Sequence, residues 1–139
     1  MNVLRVATVF AFAAALSISI TARQAPGAEP VYTQAEATAG QASYQANCAS
    51  CHMPDLAGQN EAAPLRGANF IRTWRERSTR DLVEYMQATM PPGKPSLSTQ
   101  EYLNITAFIL RSNGAPSGTQ PLRPSATVTI GSIATGVPA

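Results

Sequence analysis

Apolar positions recur at helical spacing in three stretches of the chain, and the segments between them keep no regular period. In the first stretch, Thr33 followed three residues later by Glu36 forms a capping box, and Ala35, Ala37, Ala39, Ala42 and Ala46 favour a helix running to about Asn47. Gly40 and Tyr44 lie four apart on one face of it. A glycine in mid-helix costs roughly 1 kcal/mol relative to alanine, so the expectation is that another backbone approaches closely there. Ser78 or Thr79 with Asp81 opens a second helix to about Ala88, with Leu82, Val83, Tyr85 and Met86 as apolar positions and Pro91 and Pro92 as its stop. Ser98 with Glu101 is another capping box, opening a last helix whose buried side is Tyr102, Ile105, Ala107, Phe108, Ile109 and Leu110, ended by Asn113 and Gly114. This last helix is the expected crossing partner of Gly40 and Tyr44.

A short helix is expected over Phe70 to Arg75. Residues 53–70 contain Pro54, Gly58, Pro64 and Gly67 and read as a loop wrapped around something, and Met90 to Leu97 is a second loop. No convincing strand and no internal repeat occurs, so the fold class is all-α.

The flanks differ from this core. Met1 to about Ala22 has the layout of a secretory signal: Arg5 in a positive start, an apolar run from Val6 to Ile20, then small residues. Cleavage is expected after Ala22, with Ala25 and Ala28 as alternatives. The apolar run falls short of the ~20 residues that a membrane span needs, so no stable span is expected after processing. Residues 23–32 read as a flexible lead-in, 33–114 as the folded domain, and 115–139, rich in Pro, Gly, Ser and Thr, as a low-order tail that could lie along the domain or a partner.

The domain so defined has about 85 residues, short for a stable core without covalent or ligand support. The formal charge of +2 includes Arg5 of the leader, and Arg23 as well if the cut falls after Ala25 or Ala28, so the processed chain is close to neutral and nucleic acid is not an expected partner.

The support is expected from Cys48-Ala49-Ser50-Cys51-His52, the C-x-x-C-H haem attachment signature. At a helix end the two thiols and the histidine share one face, so both sulfurs can reach one porphyrin edge and the imidazole can reach the iron. The chain has two cysteines and one histidine, and random placement would give this arrangement about one time in ten thousand, which weighs for the motif. A redox dithiol would sit in a βαβ pattern that this chain lacks, a disulfide across so short a loop would be strained, and zinc would lack a fourth ligand. A covalently bound haem also supplies the apolar bulk that a small core lacks.

His52 is the sole imidazole, so a sixth ligand would come from methionine, lysine, an amine terminus or water. Met1 leaves with the leader, and Met53 is tied to the same side as His52. Met86 lies on an apolar helix face, where methionine is most often core filler. Met90 lies in a loop whose backbone is stiffened by Pro91 and Pro92, and it is the favoured ligand, with Met86 as the second choice.

On these residues the stretch from about Thr33 to Gly114 resembles the class I cytochrome c family. The resemblance implies a cytochrome c-like fold of three to four helices around one haem c, with Gly40 and Tyr44 packed on Ile105 and Phe108. It further implies that the Pro64 carbonyl accepts the second ring N–H of His52, and that Trp74 donates to a haem propionate. The stretch from Thr89 to Gly114 is similar to members that serve periplasmic dehydrogenases. Arg66, Arg72, Arg75, Arg77 and Arg80 place five guanidinium groups within 15 residues. They read as a solvated face, as propionate neutralisation by one of them, or as a docking patch for a redox partner.

The functional expectation is a periplasmic one-electron carrier between a dehydrogenase donor and a downstream acceptor such as a terminal oxidase or another cytochrome. It is not expected to be an enzyme. The alternative is a haem-based gas sensor or small haem enzyme with an open sixth position.

Overall fold

A computed structural model describes residues 29–93 and 96–138. The helices among them are α1 (Gln34–Asn47), α2 (Ala49–His52), α3 (Gly67–Trp74), α4 (Thr79–Thr89), α5 (Thr99–Ser112) and α6 (Ile130–Ile133). No strand is present among the described residues, only isolated bridges such as Thr33 with Gly118 and Ser78 with Thr129. The expected signal over 1–22 lies outside the described residues, as does the lead-in up to residue 28.

Three helices begin at reciprocal capping boxes, Thr33 with Glu36, Ser78 with Asp81 and Ser98 with Glu101. In each, the hydroxyl accepts from the third helical N–H while the carboxylate accepts from the capping residue's own N–H, so two donors that the helix cannot satisfy are used. Helix α5 ends at Asn113 and Gly114, the latter with φ of 85°, a value that glycine adopts at little cost.

Helices α1 and α5 cross where Gly40 meets the Asn104 and Ile105 backbone; a Cβ on Gly40 would overlap the Asn104 carbonyl. Beside the crossing, the Tyr44 and Phe108 rings pack with centroids 5.2 Å apart. The core spreads from there over Ala37, Ile105, Ile109 and Leu110 of the crossing pair, Phe70 of α3 and Leu82 and Val83 of α4.

The 115–138 segment departs from the expected low-order tail. It packs along the domain, burying Ala115, Leu122, Ile130, Ile133 and Ala134. Leu122 N–H donates to the Glu36 carboxylate, and the N–H groups of Thr135 and Gly136 donate to the Asn113 carbonyl. The apolar side chains are spaced too widely in sequence to show a period, yet each finds a gap in the domain surface. The end of the lead-in is likewise tied down, since Tyr32 is fully buried and its hydroxyl donates to the Ala115 carbonyl.

Candidate functional site

Helix α1 runs almost directly into α2, and Cys48 is both the C-cap of the first and the N-cap of the second. The Cys48 carbonyl accepts from the N–H groups of Cys51 at 3.2 Å and His52 at 2.9 Å, so one helical turn carries Cys48, Cys51 and His52 on a common side. Both thiols are free. Burial, and the neighbouring Cys51 sulfur after it, push the Cys48 thiol up to about 11.

After His52 the chain turns sharply. Met53 has φ of 66° and ψ of 149°, a region in which a side chain is strained, and the Tyr44 hydroxyl donates to its carbonyl at 2.7 Å. Burial raises the pKa of that hydroxyl well above the ordinary tyrosine range, with smaller contributions from Cys48 and Asp55, so it stays protonated as a donor. The loop then folds back on itself: Gly58 N–H donates to the His52 carbonyl, Gln59 and Ala62 exchange two backbone bonds, and Leu65 N–H donates to the Leu56 carbonyl.

This loop turns the Ala63 carbonyl toward His52, with 2.8 Å between it and Nδ1. A carbonyl only accepts, so Nδ1 carries the proton and Nε2 is left with its lone pair free for a metal. The expected acceptor, the Pro64 carbonyl, is therefore replaced by that of the residue before it. Pro64 lines the site instead. The register of a loop closed by the Gln59 and Ala62 pair decides this, and no local sequence signal reports it.

Cys48, Cys51 and His52 line a mostly apolar cavity of about 620 Å³, within the roughly 300–1,000 Å³ usual for small-molecule and cofactor sites. Met86 and Met90 both line it, as do Leu82, Leu97, Ile105 and Ile109. Met86 is nearly buried on α4, whereas Met90 is the half-buried C-cap of that helix, with its carbonyl accepting from the Tyr102 hydroxyl. Leaving α4 at Met90 and pinning its backbone to α5 holds this residue at the cavity wall.

Trp74 closes one side. It is 8% exposed, stacks near Phe70 and meets the Tyr85 ring edge-on with 5.5 Å between centroids. Of the five clustered arginines, Arg77 lines the cavity, its guanidinium 5.2 Å from the Trp74 ring centroid. The others turn to protein partners: Arg66 to the Asp55 carbonyl, Arg72 to Asn69, Arg75 to Glu76 and Arg80 to Glu84. Arg77 was one of five in the sequence, and only the α3–α4 corner singles it out.

The donor set suits a haem c: two unpaired thiols three residues apart, an imidazole with one nitrogen held and the other free, two methionines on the same cavity, and an apolar wall that includes Trp74 and Arg77. These features, with the all-α fold, define a class I c-type cytochrome.

The model of the family described as "Cytochrome C oxidase, cbb3-type, subunit III" matches residues 35–109, more than half of the chain, and the protein belongs to this family of haem c-binding electron-transfer domains. Among curated proteins, no sequence matches the chain. A solved structure, the sulfane dehydrogenase SoxCD from Paracoccus pantotrophus, is similar at 30% identity with a TM-score of 0.49, the match covering 56% of this chain and 43% of that one. Among the described residues, no helix is long and apolar enough to cross a membrane.

Proposed function

We propose that the protein is an exported one-electron carrier holding a single haem c, attached by thioether bonds through Cys48 and Cys51, with His52 and Met90 as axial ligands. The observation that carries this is the convergence of both thiols, the imidazole and the Met90 side chain on one apolar cavity, with His52 Nδ1 already held by the Ala63 carbonyl.

The haem, when bound, supplies the one-electron couple. The chain's own residues do the rest. Ala63 fixes the imidazole tautomer and keeps the ligand from rotating, and the Tyr44 bond to the Met53 carbonyl holds the turn that follows. The thioether of Met90 supplies the ligand type that raises a haem potential, and the Tyr102 bond to its carbonyl keeps it in place. Trp74 and Arg77 offer an indole N–H and a cation to the cofactor's carboxylates. The leader-like residues 1–22 point to a periplasmic location, and the partners are then a dehydrogenase donor and a downstream acceptor such as an oxidase or another cytochrome.

The test is the absorption spectrum of protein matured with haem attachment machinery, taken oxidised, reduced, and reduced under carbon monoxide. Expected is a c-type reduced spectrum indifferent to carbon monoxide, with the weak red band of the oxidised form lost in Met90→Ala and retained in Met86→Ala. Immediate binding of carbon monoxide would overturn the electron-carrier reading in favour of an open sixth position. Loss of the band in Met86→Ala alone would reassign the ligand.

A further inference from the structure

The segment Ala126–Gly131 lies outside the residues that match the family and runs along the corner between α3 and α4. Its carbonyls at Val128 and Ala126 accept from Thr79 N–H at 2.9 Å and Arg80 N–H at 3.0 Å, and Ala126 also accepts from Thr79 Oγ1 at 2.7 Å. In return, Ile130 N–H donates to the Arg77 carbonyl and Gly131 N–H to the Arg75 carbonyl, both at 2.9 Å.

These are the groups that the corner cannot satisfy alone. Ser78 and Asp81 occupy the cap and the third N–H of α4, which leaves the first two helical N–H groups, those of Thr79 and Arg80, without an intrahelical acceptor. Arg75 and Arg77 sit at and beyond the end of α3, where carbonyls are likewise orphaned. Ile130, fully buried, anchors the segment.

None of Ala126–Gly131 lines the cavity, but the corner they hold carries Trp74 and Arg77, which do. The Arg77 side chain is exposed and lies over the Trp74 ring, with the Asp81 carboxylate of α4 also close enough to act on it, so the α3–α4 corner sets its place at the cavity. We propose that Ala126–Gly131 is a positioning clip for the cofactor site, holding the corner so that the Arg77 guanidinium stays beside a cofactor carboxylate and raises the reduction potential. The clip has this effect only if a haem fills the cavity as proposed above. A cation held nearby disfavours the oxidised form, which carries one more positive charge, and a loosened corner lets that cation drift into water, where it is screened.

Gly131→Ala is the remote probe, because a Cβ there would lie 2.7 Å from the Arg75 carbonyl oxygen and 3.0 Å from the Arg75 Cβ, forcing clip and corner apart. Thr79→Val is the milder one, removing the hydroxyl bond to Ala126 with little change in volume. Midpoint potentials are measured on the holoproteins. In Gly131→Ala the one-electron equilibrium is expected to shift about threefold toward the oxidised form, ~28 mV at 59 mV per tenfold. Thr79→Val should shift it the same way by less. Arg77→Gln should also lower the midpoint, and adding Gly131→Ala to it should lower it no further, because both act through one charge. Variants that melt earlier with an unchanged midpoint, or full additivity with Arg77→Gln, overturn the clip. Wild-type protein that matures without covalent haem overturns the haem reading itself, and this is visible in the spectrum before any midpoint is compared.

Discussion

The Asn113 side chain donates to the Leu65 carbonyl at 2.9 Å, joining the end of α5 to the loop that holds the acceptor of His52. The same amide donates to the Ile109 carbonyl at 2.8 Å, and its oxygen accepts from Gly67 N–H at 2.9 Å. The Asn113 backbone carbonyl takes the N–H groups of Thr135 and Gly136. Asn113 is fully buried, so water cannot replace these partners.

Asn113→Ala should therefore destabilise the protein by about 2–4 kcal/mol, because each buried group left unpaired costs roughly 1–3 kcal/mol. The measurement is the urea midpoint at unchanged slope. A midpoint equal to that of the wild type would show that the loop and helix end do not depend on this amide.

Gly40→Ala tests the helix crossing. Alanine gains about 1 kcal/mol of helix propensity, but its Cβ would meet the Asn104 carbonyl, a backbone group that cannot rotate away. Separating α1 from α5 should outweigh the gain, for a net loss of about 2 kcal/mol or more. A thermal scan showing an equal or higher midpoint would mean that the crossing is looser than the structure describes.

At Met53 the expected sign is the opposite. The strain of a side chain at φ of 66° and ψ of 149° is of order 1–3 kcal/mol, whereas the extra unfolded-state entropy of glycine costs roughly 0.5–1 kcal/mol. Met53→Gly should stabilise by about 1 kcal/mol and leave the haem spectrum unchanged. Lower stability would indicate that the half-buried methionine side chain contributes more than its backbone costs.

Two capping carboxylates, Asp81 and Glu101, contribute to acid sensitivity. Ser78 and Ser98, through their backbone and side-chain hydrogen bonds, hold Asp81 and Glu101 below the ordinary carboxylate range. A depressed folded-state pKa contributes stability that is present above the unfolded value and is lost as pH falls through the folded one. Denaturation midpoints should be flat near neutrality and fall below about pH 4, and Asp81→Asn with Glu101→Gln should flatten part of that fall. An unchanged acid profile in the double variant would remove these caps as its cause.

Much of the frame is legible in the chain because its signals are local. A hydroxyl and a carboxylate three residues apart can close a capping box within one helical turn; the boxes at Thr33 and Ser98 form where the sequence places them, and at α4 the structure picks Ser78 over Thr79 as the cap. The cavity wall is less so. Pro64 and Ala63 look equally able to accept from His52, and the choice falls to a loop register set by backbone bonds. The ordered course of 115–138 is hidden for a related reason: its buried residues are matched to gaps built by α1, α3 and α4, more than 40 residues away.

The sequence by itself determined the all-α class, the capped starts of α1 and α5 and the C-x-x-C-H donor set, since each depends on residues within about one turn of each other, whereas α3 begins at Gly67 rather than at the expected Phe70. Tertiary structure alone decided that Ala63 holds His52, that Arg77 of the five arginines reaches the cavity, and that the C-terminal segment braces the corner behind it. Those outcomes depend on backbone groups that every residue carries alike, and only chain closure determines which of them meet.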